Sequence, residues 1–164
     1  MARNTGVTGS SAAEFVIDAG VVAIGGTVVG ATQDGAQFAA NPTFREVAAD
    51  GQPAPFVGGV RLMSYRPTLT FKVIEFSQTI IDHALNGAAG SPAAYVLPAG
   101  AHKTVTLTGK KADGTTVTVT LTNAYNANAG AISMADDSEG GLEFECVGCY
   151  AAGSDTPPFT VVAA

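Results

Sequence analysis

Residues 41–76 read NPTFREVAADGQPAPFVGGVRLMSYRPTLTFKVIEF, and the fold turns on how this stretch divides. Its last part alternates. Leu69, Phe71 and Val73 point one way and Thr70, Lys72 and Ile74 the other, the period-2 pattern of a strand with one buried face. A second strand is expected over 43–47. Between them Asp50-Gly51, Pro53, Pro55 and Gly58-Gly59 punctuate an excursion over 48–66 that is too long for a tight hairpin turn. A compact domain seldom carries so long an irregular loop without using it. The excursion is therefore expected to contact another subunit and to be ordered by that contact, with no active site on it.

Working outward, residues 1–13 are small, polar and aperiodic, and are expected to form a flexible N-terminal arm. The run 21–32 is apolar and β-rich, with Gly25-Gly26 as a turn or bulge; Asp34-Gly35 signals a tight turn before a strand ending at Phe38. After the opening stretch, 77–86 is the one helix candidate. Ser77 suits an N-cap, Ile80, Ile81, Ala84 and Leu85 form an apolar stripe, and Asn86-Gly87 supplies a left-handed stop. Residues 102–108 and 115–122 make a hairpin around the turn 110–114, with Val105, Leu107, Val117, Val119 and Leu121 on one face and threonines on the other. Residues 123–135 read ambiguously, as a short strand plus loop. Leu142, Phe144 and Cys146 alternate with Glu143 and Glu145 in a last strand, and 153–164 reads as a Pro-broken C-terminal arm. The sum is an all-β domain over 14–152 with one flanking helix, a β-sandwich or saddle-like barrel.

Composition narrows the function. Of 164 residues, 46% are hydrophobic and 13% charged, with 20 glycines and no tryptophan. Charged content is about half the usual ~25% of soluble proteins, so burial against other subunits is expected. Net charge is -6, and it is unevenly spread: seven acids and eight bases up to Lys111, then seven acids and no Lys or Arg. That distribution disfavours a groove gripping nucleic acid; it permits a surface past which nucleic acid slides, but on the residues alone a solubilising acidic face is the favoured of the two readings. No apolar signal core opens the chain, and 21–31 is too short and too broken to span a bilayer; a soluble intracellular product is expected.

No catalytic constellation is expected. Cys146-Val147-Gly148-Cys149 ends an alternating strand, whereas redox CxxC pairs sit at helix N-termini, and two cysteines with two distant histidines give no zinc spacing. Asp82-His83 are adjacent on a helix and do not face each other. Asp136, Asp137 and Glu139 lack the ligand alternation of a calcium loop. Paired carboxylates for glycoside chemistry leave a small β-sandwich hydrolase as the least favoured reading. No cofactor or metal is expected.

Asn41-Pro42, Phe44-Arg45-Glu46, Asp50-Gly51, the Gly- and Pro-bearing run 55–59, Arg61, a strand ending in Glu75 and a short helix follow one another in an order that resembles phage tail tube proteins, the major tail proteins of long-tailed phages. The resemblance implies six copies in a ring whose inner sheets form a continuous β-barrel lumen. It implies stacking through Asp50, Gly51, Pro55, Phe56, Gly58, Gly59, Arg61 and Arg66, and acids such as Asp136, Asp137, Glu139, Glu143 and Glu145 lining the bore. The implied partners are further copies of the chain, a tape-measure protein, tail terminator and baseplate proteins, and genomic DNA that passes without specific binding. No membrane partner is implied; the place would be the virion tail, assembled in the host cytoplasm. The alternative from the residues is an Ig-like β-sandwich binding module, such as a capsid decoration or adhesion domain, for which the 48–66 excursion needs no assembly role.

Overall fold

The computed structural model of the chain describes residues 20–30, 32–48, 51, 55–87, 97, 99–128, 132–133 and 140–164. Among them the strands are β1 (Val21–Ile24), β2 (Thr27–Val28), β3 (Thr32–Ala39), β4 (Pro42–Glu46), β5 (Val60–Tyr65), β6 (Thr68–Val73), β7 (Lys103–Lys110), β8 (Thr116–Asn126), β9 (Ile132–Ser133), β10 (Gly141–Gly148) and β11 (Phe159–Ala163); the helix α1 spans Gln78–Ala84. Strands pair antiparallel throughout. The protein is all-β with one flanking helix.

The main sheet runs β2-β1-β7-β8-β10-β6-β3, with β11 added to β8 and β9 to β10. β8 joins its two halves. Residues 117–121 pair with β7 on one edge and β11 on the other, while 124–126 pair with β10. The change of partner falls at Asn123, whose left-handed φ of 49° kinks the strand. Asn tolerates that conformation better than most side chains do.

Alternation explains the packing. Val22 and Ile24 of β1, Val105 of β7, Leu121 of β8, Leu69, Phe71 and Val73 of β6, and Leu142, Phe144 and Cys146 of β10 enter one core cluster, joined by Ile80 and Ala84 of α1. Phe71 and Phe144, partners in register, stack at 4.9 Å. Full burial of such side chains stabilises by roughly 1.5–3 kcal/mol each. Helix α1 starts as its sequence predicts, with Ser77 Oγ accepting the Ile80 N–H at 3.3 Å. It ends at Asn86 and Gly87, both left-handed.

Two buried polar residues pin the helix to the sheet. Asn86 Nδ2 donates to the Asn126 carbonyl at 2.8 Å, and Asn86 Oδ1 accepts the Asn126 N–H at 2.7 Å. Asn126 Nδ2 reaches the Ala84 carbonyl at 2.8 Å, and its Oδ1 accepts from the Glu145 N–H at 2.9 Å. The end of α1, the end of β8 and the middle of β10 are thus tied by one pair of amides.

Three expectations change, and one ambiguous stretch is assigned. Asp34-Gly35 is not a turn between strands but a bulge inside β3, where the register shifts between Gln33 and Ala36 and Gly35 takes φ 77°. Residues 60–65, expected to be irregular until a neighbour orders them, already form β5 within the single chain, paired with β4. The ambiguous 123–135 stretch carries the continuation of β8 through Asn126, and β9. The 153–164 tail contains β11, hydrogen-bonded along β8, so its last strand belongs to the sheet instead of a free arm. The arm expected over 1–13 lies outside the described residues.

Candidate assembly interface

β4 and β5 form a separate two-stranded sheet, the continuation of the β3–β6 ribbon beyond a hinge at Ala40-Asn41 and Arg66-Pro67. The root of this hairpin is heavily tied. Asn41, at φ 45°, donates from Nδ2 to the Arg66 carbonyl at 3.2 Å and to Thr68 Oγ1 at 3.1 Å, and the Arg66 N–H returns to the Asn41 carbonyl at 3.1 Å. The Tyr65 N–H donates to the Tyr150 hydroxyl at 2.9 Å, and the Tyr65 ring meets Phe159 edge-on at 5.1 Å. Pro67 is fully buried against Gly148, whose N–H bonds the Pro67 carbonyl at 3.0 Å. A Cβ on Gly148 would stand 3.0 Å from both the Pro67 ring and the Pro158 carbonyl oxygen, so a larger residue fits this seat only if those neighbours give way by a few tenths of an ångström.

Beyond the root nothing of the described chain covers the hairpin. All of β4 is exposed, and β5 is exposed up to Tyr65. Phe44 stands directly across from Leu62, at 58% and 46% exposure, with Val60 beside them on the same face; Met63, the extra residue of a bulge, is 57% exposed. The opposite face carries Arg45 directly across from Arg61. Neither arginine makes a side-chain hydrogen bond or ion pair with a described residue. A two-stranded ribbon alone is marginally stable in water, and directly opposed like charges weaken such a pair further.

The residues expected to stack distribute along this feature. Gly51 and Gly58 lie in exposed left-handed turns and Pro55 in an exposed bend. Phe56 folds back over Gly59, whose N–H bonds the Phe56 carbonyl at 2.9 Å and whose carbonyl accepts the Val47 N–H at 2.7 Å. Arg61 sits on β5 and Arg66 at the root, both exposed. Asp50 lies outside the described residues, as do Asp136, Asp137 and Glu139. Phe44, Leu62, Met63 and Arg45 had not been expected to contribute. The Val60-Arg61-Leu62 alternation was the available signal for them.

Glu143 and Glu145 project from the outer face of β10. Glu143 is exposed and stands across from Lys72, and Glu145 is half-buried across from Thr70; with Gln37 of β3 opposite Thr70, they make a polar strip over β3, β6 and β10. A cavity of about 270 Å³ opens there, and Asn128 Nδ2 reaches Glu143 Oε2 at 3.5 Å. Lys72 and the two glutamates leave one net negative charge on the strip.

Other groups are less suggestive of chemistry. Cys146 is buried, which pushes its thiol up to about 12, and burial also raises Cys149. Both stay protonated at neutral pH. His83 lines a cleft of about 220 Å³ with Asp82, Asn86 and Lys103; burial first, then Lys103, hold its pKa below the usual 6.5, while Asp82 opposes them. An apolar groove of about 310 Å³ runs between Ala36, Leu107, Val117 and Val119. Among the described residues no three His, Cys, Asp or Glu side chains converge as metal ligands, and no helix is long and apolar enough to cross a membrane. No protein-family model matches the chain, and no curated protein matches it in sequence.

Proposed function

We propose that this chain is a structural subunit that assembles into stacked hexameric rings, forming a phage tail tube through which DNA leaves the virion. The observation that carries this reading is the β4–β5 hairpin: rigidly rooted, yet bare on both faces. A hairpin held so firmly at its base is pre-organised to be received by another molecule, since little ordering remains when it docks. The order of features over residues 36–85 supports the same reading. So do the strand edges, because β3 and β11 each pair on one side only among the described residues, and neighbouring copies would complete them.

In such a tube the polar strip over β3, β6 and β10 faces the bore, with Glu143 and Glu145 making it mildly repulsive to phosphate. Lys72 opposite Glu143 tempers that repulsion, so the bore would repel DNA less strongly than the glutamates alone imply. The tape-measure protein occupies the bore during assembly, and terminator and baseplate proteins cap its ends. Catalysis has no part in this function.

Sedimentation velocity tests the reading through the hairpin. The wild-type chain should sediment as rings or longer particles, and Phe44→Ser/Leu62→Ser as a folded monomer. If the variant sediments like the wild type, the hairpin is not the assembly element; a wild-type chain that stays monomeric favours the binding-module alternative.

A further inference from the structure

Arg45 and Arg61 are direct cross-strand partners on an exposed two-stranded sheet. Directly opposed like charges destabilise a strand pair. With Arg66 at the root, three of the chain's four arginines fall within residues 42–66. That segment also holds Glu46 and Asp50, so it carries net +1 while the remainder of the chain carries -7. The hairpin is a basic projection from an acidic body.

We infer that the Arg45–Arg61 face of the hairpin is a carboxylate-reading surface whose occupant is the acidic body of a second copy of this chain. The inference rests on the self-assembly proposed above and adds to it which face sets the orientation. Two guanidinium groups carried by directly paired residues on one face of the ribbon offer paired forks suited to bidentate carboxylate contacts. Two features favour a second copy over nucleic acid. Phe44, Leu62 and Val60 occupy the other face of the same thin ribbon, with Glu46 at its end across from Val60, so the hairpin fits between two protein surfaces, mainly apolar on one side and acidic on the other. An acidic body also repels a polyanion, while it attracts the hairpin of another copy. Interactions of this kind set register and suppress wrong partners more than they add affinity.

Single charge reversal separates an assembly role from a structural one. Arg45→Glu replaces a like-charged cross-strand pair with an attractive one, so the folded monomer should melt no lower than the wild type. Its assembly, followed by light scattering, should nevertheless require about tenfold or more higher protein concentration, and raising the salt should weaken wild-type assembly in the same direction. Arg61→Glu should behave alike. Normal assembly of both variants, with assembly of the wild type indifferent to salt, overturns the inference but leaves the proposed tube standing. Wild-type protein that never assembles overturns both. Tight binding of a short single-stranded oligonucleotide by the wild type, lost in Arg45→Glu while assembly is kept, overturns the inference in favour of nucleic acid.

Discussion

At the scale of single residues, Asn126 does the most for the fold with the fewest atoms. Its amide satisfies the Ala84 carbonyl and the Glu145 N–H, and its backbone completes Asn86. Asn126→Ala leaves those buried partners unmet, and unmet buried groups cost about 1–3 kcal/mol each. Urea unfolding of that variant should show a loss of roughly 2–4 kcal/mol with an unchanged slope. His83 gives a second test. Because burial and Lys103 depress its pKa in the folded protein, the native state binds fewer protons than the unfolded chain below 6.5. Its contribution to stability is therefore complete above 6.5 and is lost as pH falls through the lowered native value. His83→Gln should show a smaller fall in urea midpoint between about pH 7 and pH 5 than the wild type. Of these residues, Asn86 was legible in the sequence as a helix stop. Asn126 was not, since a polar side chain in an ambiguous stretch does not announce that it is buried.

At the scale of elements, strands with one buried face were readable and those without one were not. β6, β7, β8 and β10 alternate because one side meets the core. In β5 both faces are exposed, so Val60-Arg61-Leu62 alternates without a core to explain it, and the bulge at Met63 breaks the period. Gly35 misled in the opposite way, because a left-handed glycine serves a bulge as well as a turn. The same exposure fixes what hairpin substitutions should do. Phe44→Ser/Leu62→Ser removes little buried surface from the monomer, so its stability should change by about 0.5 kcal/mol or less in a urea titration. In the proposed assembly, docking of those two side chains against a neighbour would be worth roughly 1.5–3 kcal/mol each if burial is complete, so their loss should abolish assembly at ordinary concentrations.

At the scale of the whole molecule, the low charge, the acidic second part and the all-β class were legible from composition and alternation. The addition of β11 to the sheet was hidden by its prolines, because 153–158 reads as a broken linker while Phe159 carries the anchor to Phe38 and Tyr65. The resulting body has a packed core, strands that pair on one side only among the described residues and one projection, hydrogen-bonded at its root and exposed beyond it. We propose that further copies of the chain supply the complement to that projection. Negative-stain electron microscopy of the purified wild-type chain over a range of concentrations tests this most directly. Six-fold rings or tubes with a central channel are predicted; particles that remain single subunits at the highest concentration reached would contradict it.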